Sequence, residues 1–246
     1  MKKAFIILFM ELFLIIALTG CNPNQEKIQN NFYEILEKPA SKESIDEALD
    51  YLDQHLSKLD EDHASYMVHE LEHYILSFDH NGIDYGEWIL HYEDHIDPAL
   101  TGFYQIMLEE QESPMKKDTV LMKSWAELAL RAHDIELFAK KNRDFDLIKE
   151  DLEWIYGYYM NAMVMGTNGT PIFDYKTNSF SEEAKIAYEA FINQYPDTAT
   201  SWALKEYFTY LNSIKFKMDY NDKISSKLFF DTCDWLVLES GKRVIQ

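Results

Sequence analysis

Apolar residues recur along this chain at the spacing of an α-helix and almost nowhere at the alternation of a β-strand. One stripe advances by alternating steps of four and three positions: Leu121, Trp125, Leu128, Ala132, Ile135 and Ala139. Residues at these steps share one face of a helix and can bury it against a neighbour. Similar stripes fill most of the chain, so we expect an all-α fold with no sheet.

The breaks between the stripes predict nine or ten stacked antiparallel helices in a single domain. Prolines fall in these breaks, where helices must start or stop: Pro39, Pro98, Pro114 and Pro196. The predicted helices lie near residues 26–38, 42–58, 61–78, 84–95, 99–112, 118–141, 144–165, 181–194, 199–216 and 224–240. The segment WIYGYYMNAMVMG, residues 154–166, is apolar nearly all round, which is typical of a helix buried in the middle of a fold.

The N-terminus has the layout of a secretory signal peptide. Two lysines precede an apolar run from Ala4 to Leu18, which is interrupted by Glu11 and followed by small residues. The run ends in Leu18-Thr19-Gly20-Cys21, which resembles the lipobox of bacterial lipoproteins. The alternative is a plain signal anchor that stays uncleaved.

The lipobox resemblance implies cleavage before Cys21 and a diacylglycerol lipid on that cysteine. It divides the chain into a signal peptide at 1–20, a lipidated N-terminus with a polar tether at 21–27, and a helical domain at 28–246. The protein would then sit on the extracytoplasmic face of the cell membrane. Lysine far outnumbers arginine and asparagine is common, a composition that suggests a Gram-positive bacterium.

The formal net charge is −20, and removing residues 1–20, with two lysines and one glutamate, changes it to −21. A chain this acidic is repelled by nucleic acid and by anionic lipid headgroups. We therefore expect no nucleic acid partner. Attachment to the membrane would depend on the lipid, and the other partner would be an envelope protein or peptide.

The only cysteine besides Cys21 is Cys233, in the apolar segment LFFDTCDWLVL. If Cys21 carries lipid, no internal disulfide can form. A lone cysteine among apolar residues behaves as a small core side chain, so we assign Cys233 no catalytic role.

Residues 182–208 resemble one helical hairpin of a tetratricopeptide-type repeat. The resemblance rests on the small, aromatic and proline positions of that unit: Ala184, Tyr188, Phe191, Tyr195, Pro196 and Ala203. The other half of the pattern is missing and no second copy recurs at a fixed period. The resemblance implies only antiparallel helices stacked side by side.

Seven of the eight histidines lie between residues 55 and 95, and two of them form a His-Glu-x-x-His motif. In zinc peptidases this spacing places two zinc ligands and a general base on one helix. Here His69 and His73 would bind zinc and Glu70 would activate water. This is the alternative function of the chain, a zinc-binding protein or metallopeptidase.

A second histidine pair at the same spacing, His91 and His95, could supply the third ligand from the next helix. Glu87 and Glu93 are the other candidates for that position. The short segment between the two predicted helices can fold the second back beside the first.

Other features of this helix argue against a zinc site. In zinc peptidases the helix that carries this motif is buried beneath the active site, where a charged side chain is unfavourable. Here the motif contains the charged Glu72. The apolar stripe Met67, Leu71, Ile75 and Phe78 leaves His69 and His73 at its flank or in solvent. We therefore expect a solvated helix face, with no metal cofactor and no catalytic residue. The leading hypothesis is a non-enzymatic lipoprotein that acts as a protein-interaction or ligand-binding module.

Overall fold

The computed structural model describes residues 23–246, so the predicted signal peptide and the predicted lipid-attachment residue Cys21 lie outside it. Ten α-helices run through the described residues, which confirms the all-α prediction. In chain order they are α1 Pro23–Leu36, α2 Lys42–His55, α3 Glu61–Phe78, α4 Tyr85–Tyr92, α5 Pro98–Glu112, α6 Trp125–Lys141, α7 Lys149–Met165, α8 Glu182–Gln194, α9 Ala199–Ser213 and α10 Lys223–Ile245. Two short 3-10 helices, Leu56–Lys58 and Asp146–Ile148, lie between them.

The chain groups into two compact units, one ending at Thr101 and one beginning at Gly102, so the boundary falls inside α5. The predicted bounds of one helical domain, 28–246, stay a prediction. None of the helices within the described residues combines the length and the apolar character needed to cross a bilayer.

In the first unit, α1, α2 and α3 pack against one another in all three pairings. Their shared core contains Phe32, Leu52, Met67 and Leu71, which are fully buried. The start of α3 is fixed by Asp60, whose carboxylate accepts a hydrogen bond from the His63 N–H at 3.0 Å. This cap satisfies a backbone donor that the helix itself leaves without a partner.

In the second unit, α7 lies between α6 and α10 and contacts both. Two buried tyrosines support its C-terminal end, where helix carbonyls lack partners within the helix. Tyr188 donates to the Met163 carbonyl at 2.7 Å, and Tyr207 donates to the Val164 carbonyl at 2.6 Å. The segment 182–208 falls in α8 and α9, which pack against each other. This packing does not test the tetratricopeptide resemblance, which stays a prediction.

A small hairpin corrects the prediction of a fold without any sheet. Strands β1 Lys116–Lys117 and β2 Val120–Leu121 pair antiparallel, and Asp118 takes the positive φ of 54° that the tight turn requires. The helix predicted from residue 118 therefore begins only at Trp125. There Ser124 and Glu127 form a capping box, which fixes the helix start more strongly than the apolar spacing does.

The first helix, predicted near residues 26–38, begins earlier than expected, at Pro23. Proline is favoured at the first helical position, and Glu26 in the first turn complements the helix dipole. The prediction of a helix start near residue 26 gave too little weight to these signals.

Candidate functional site

The histidine motif lies on α3 in the first unit, and the structure corrects the expectation of a solvated face. His69 is 3% exposed and Glu72 is 2% exposed, whereas His73 is open to solvent. One potential ligand atom from each of the three lies within 4.8 Å of the others. This is the one group of three metal-ligating side chains found among the described residues.

Glu72 is held in place by hydrogen bonds from two sides. The Tyr85 hydroxyl, at the start of α4, donates to Glu72 Oε1 at 2.6 Å, and His69 Nδ1 lies 3.3 Å from Glu72 Oε2. Asp84 caps α4 by accepting from the Glu87 N–H at 3.1 Å, which fixes the helix turn that carries Tyr85. A buried carboxylate needs such donors, because desolvation is otherwise costly.

The other residues predicted as third ligands do not join this group. His91 Nε2 pairs instead with Asp53 Oδ1 on α2 at 2.9 Å, and both side chains are exposed. His95, Glu87 and Glu93 are exposed and belong to no metal-ligating group within the described part of the chain. The third side chain beside His69 and His73 is therefore Glu72.

Glu70, the proposed general base, is half-buried and interacts with Tyr66, one turn earlier on α3. Burial raises the pKa of Tyr66, and the neighbouring Glu70 carboxylate raises it further. Glu70 is not a member of the group formed by His69, Glu72 and His73. This arrangement weakens the argument for a peptidase, which would need Glu70 beside the metal-bound water.

Cys233 is fully buried on α10, as the sequence predicts, and burial raises the pKa of its thiol well above the ordinary value. A protonated, buried thiol is a poor nucleophile. Cys21, the other predicted site residue, lies outside the described residues.

A groove of about 870 Å³ opens in the second unit between α7, α10, the β1–β2 turn and the loop after α7. Its lining is Met115, Lys116, Asp118, Thr119, Glu150, Glu153, Trp154, Gly157, Tyr158, Asn161, Ala162, Gly166, Thr167, Asn168, Asp234, Val237 and Leu238. The volume falls in the range of small-molecule sites, which is roughly 300–1,000 Å³.

Two aromatic rings form one wall of the groove. Trp154 and Tyr158 stand one turn apart on α7, with ring centroids 5.8 Å apart and planes only 9° from parallel. Trp154 is 62% exposed, although the sequence predicts that this helix is buried all round. The prediction is correct for the opposite face of α7, where Ile155, Tyr156 and Tyr159 are buried.

The charges around these rings are mainly negative. Four carboxylates line the groove, from Asp118, Glu150, Glu153 and Asp234, against the single cation of Lys116. Lys116 Nζ lies 5.2 Å from the centre of the Tyr158 ring, a cation–π distance. The groove can therefore take an apolar or planar group against its wall and a positive charge beside it.

Sequence reasoning missed most of these residues. In the sequence, the charge of Glu72 argues against a zinc site. Tyr85 lies thirteen positions further on, and no local pattern marks it as a partner of Glu72. Trp154 and Tyr158 stand four apart, a spacing that places them on one helix face, but their high hydrophobicity assigns that face to the core.

The chain matches no protein-family model, no curated protein and no solved structure.

Proposed function

We propose that this chain is a membrane-anchored extracytoplasmic lipoprotein without enzymatic activity, and that its second unit binds a positively charged organic ligand. The anchor is the diacylglycerol on Cys21, and two acyl chains are enough for stable attachment. The ligand is an amine or a quaternary ammonium group. It is either a free small molecule or a basic side chain of an envelope peptide.

The observation that carries the proposal is the stacked pair of Trp154 and Tyr158 inside a carboxylate-lined groove. The faces of aromatic rings attract cations, and tryptophan does so most strongly. Glu150, Glu153 and Asp234 add a Coulomb attraction that a neutral sugar would not exploit. The net charge, −20 for the full chain and −21 without residues 1–20, extends the same attraction beyond the groove.

Lys116 provides an internal example of the contact that we propose. Its ammonium already occupies the face of Tyr158, at a distance where cation–π attraction is effective. The exposed ring of Trp154, next to it in the stack, offers the equivalent position to a ligand.

Isothermal titration of the full chain in detergent micelles tests this proposal. The probes are spermidine, choline, a short lysine-containing peptide and a neutral disaccharide. We expect the three cations to bind and the disaccharide not to bind. Affinity should fall as salt is added, because the carboxylates are near the surface and are screened. A higher affinity for the peptide than for spermidine or choline would identify a peptide as the source of the cation.

The matched variants are Trp154→Ala and Trp235→Ala. Trp235 is 45% exposed in the same unit, but it contacts Trp202 and does not line the groove. Trp154→Ala should weaken cation binding by about 2- to 5-fold, because it removes the better cation–π face and an exposed cation–π contact contributes about 0.5–1 kcal/mol. Trp235→Ala should leave the affinity unchanged. Binding of the disaccharide alone, or equal effects of the two variants, would contradict the proposal.

A further inference from the structure

We infer that His69, Glu72 and His73 form a binding site for one divalent first-row transition-metal ion. The site lies in the first unit and is independent of the groove in the second. It uses the two histidines of the sequence motif, but its third ligand is Glu72 and not a residue of the following helix.

The spacing of these residues brings them together on α3. Positions i, i+3 and i+4 lie on one face of a helix, one turn apart. The ring centroids of His69 and His73 are 4.4 Å apart, and His69 Nδ1 is 3.3 Å from Glu72 Oε2. Ligand atoms around tetrahedral zinc stand about 3.4 Å apart, as metal–ligand bonds of about 2.1 Å require. Ligand atoms within 4.8 Å of one another can reach that arrangement by side-chain rotation.

The donor set selects the class of ion. Two imidazoles and one carboxylate suit zinc and its first-row neighbours, whereas calcium and magnesium prefer oxygen ligands throughout. Three protein ligands leave one coordination position for water or another small ligand. His73 is exposed while His69 and Glu72 are buried, so the ion can enter from solvent on the His73 side.

Tyr85 acts as a positioning residue for the carboxylate. Its hydroxyl donates to Glu72 Oε1, which leaves the second oxygen, Oε2, on the side of His69. Hydrogen bonds of this kind orient metal ligands, and removing one typically weakens metal affinity about 10- to 100-fold. A bound cation would also offset the desolvation cost of burying the Glu72 carboxylate.

The test measures Zn²⁺ binding to the full chain in detergent micelles, purified without a polyhistidine tag and stripped with a chelator. Equilibrium dialysis followed by metal analysis gives the stoichiometry, and competition with a chromophoric chelator gives the affinity. We expect one Zn²⁺ per chain, no competition by a large excess of Mg²⁺, and a higher melting temperature with zinc than without. Variable stoichiometry without a thermal shift would mean that zinc binds only to scattered surface groups, which would overturn the inference.

His73→Ala is the cleanest variant, because this side chain is exposed and its removal leaves the core intact. It should weaken zinc binding by more than the roughly 100-fold upper range for an outer-sphere residue. The matched control is His91→Ala, an exposed histidine on α4, which should bind zinc like the parent chain. Loss of zinc in His91→Ala would instead support the sequence-based choice of third ligand and overturn ours.

Glu72→Gln and Tyr85→Phe separate the ligand from the residue that positions it. Glu72→Gln keeps the shape of the side chain and should abolish stoichiometric binding. Tyr85→Phe should retain one zinc per chain with affinity lowered about 10- to 100-fold. Melting temperatures without zinc reveal any effect that is merely structural. If Tyr85→Phe lowers that temperature but leaves zinc affinity unchanged, the tyrosine has no positioning role. If a folded Glu72→Gln chain binds zinc as before, Glu72 is not a ligand.

Discussion

Alanine at Gly166 should destabilise the second unit, although it adds a single methyl group. Gly166 ends α7 with φ of 71° and ψ of −156°, a backbone conformation that is almost restricted to glycine. A Cβ atom there would lie 2.5 Å from both the Ile172 nitrogen and the Thr170 oxygen. These are backbone atoms, and the bridge between Gly166 and Pro171 holds this stretch in place. The conformational cost alone is about 1–3 kcal/mol, and the clash should bring the total to about 3 kcal/mol.

Gly157 provides the matched control, because it lies in the same helix and also lines the groove. A Cβ atom at Gly157 would meet only Val237 Cγ1, at 3.4 Å, which is an ordinary contact. Alanine is favoured over glycine inside a helix by about 0.8–1 kcal/mol. The same substitution should therefore stabilise the chain at Gly157 and destabilise it at Gly166.

Thermal unfolding followed by circular dichroism at 222 nm measures both effects. For a chain of this size, 1 kcal/mol changes the melting temperature by about 2–4 °C. Gly166→Ala should lower the melting temperature by about 6–12 °C, and Gly157→Ala should raise it by about 2–4 °C. If Gly166→Ala has the same melting temperature as the parent chain, the loop after α7 relaxes to accept the methyl group, and the predicted strain at Gly166 is wrong.

Three further outcomes follow from single residues. Glu136 on α6 accepts hydrogen bonds from two backbone N–H groups in the first turn of α9. Glu136→Gln should therefore lower the free energy of unfolding, measured in urea, by about 2 kcal/mol. The control Glu189→Gln, on the exposed face of α8, should leave that free energy unchanged. Cys233 should resist a thiol reagent at pH 8 in the native chain and react fully in urea, because burial keeps its thiol protonated and covered; rapid reaction of the native chain would contradict the burial. Cys21→Ser should end the incorporation of radiolabelled palmitate into the chain, and continued labelling would refute the lipobox assignment.

The helices could be predicted well because their signals are local. Apolar spacing marks a face of each helix, and a cap such as Asp60 marks where a helix begins. The prediction failed at the residues before Trp125, where Leu121 continues the helical spacing but belongs to a short strand that pairs with Lys116–Lys117 across a turn. Periodicity over so few residues does not separate the first turn of a helix from a short strand.

The candidate sites were harder to predict, because each depends on a partner that is distant in sequence or on the packing of a whole face. Glu72 is buried because Tyr85 from the next helix reaches it, and no pattern around residue 72 contains that information. The wall of Trp154 and Tyr158 is open because α6 and α10 cover other faces of α7. Hydrophobicity predicts which residues can be buried, but not which face of an apolar helix lacks a neighbour.

Both proposed sites depart from the rule that apolar side chains are buried and charged ones exposed. In the metal site a charged side chain, Glu72, is buried, and in the groove an apolar side chain, Trp154, is exposed. A motif formed by chance on a solvated face costs the fold nothing, whereas burying a carboxylate costs several kcal/mol unless donors surround it. Tyr85 and His69 supply such donors to Glu72, but replacing a buried hydrogen-bonded charge by an apolar side chain is often neutral or stabilising, so stability alone is a weak reason for a carboxylate at position 72. Trp154 is the converse case, but exposure alone is a weak argument, since Leu90 and Ile224 are more exposed and line neither site. What distinguishes Trp154 is the surrounding groove, with a parallel second ring and an excess of carboxylates. Departures from local rules are expected where a chain binds a ligand. One of these two departures lies in a group of three metal-ligating side chains, and the other lies in a groove lined by a second ring and several carboxylates.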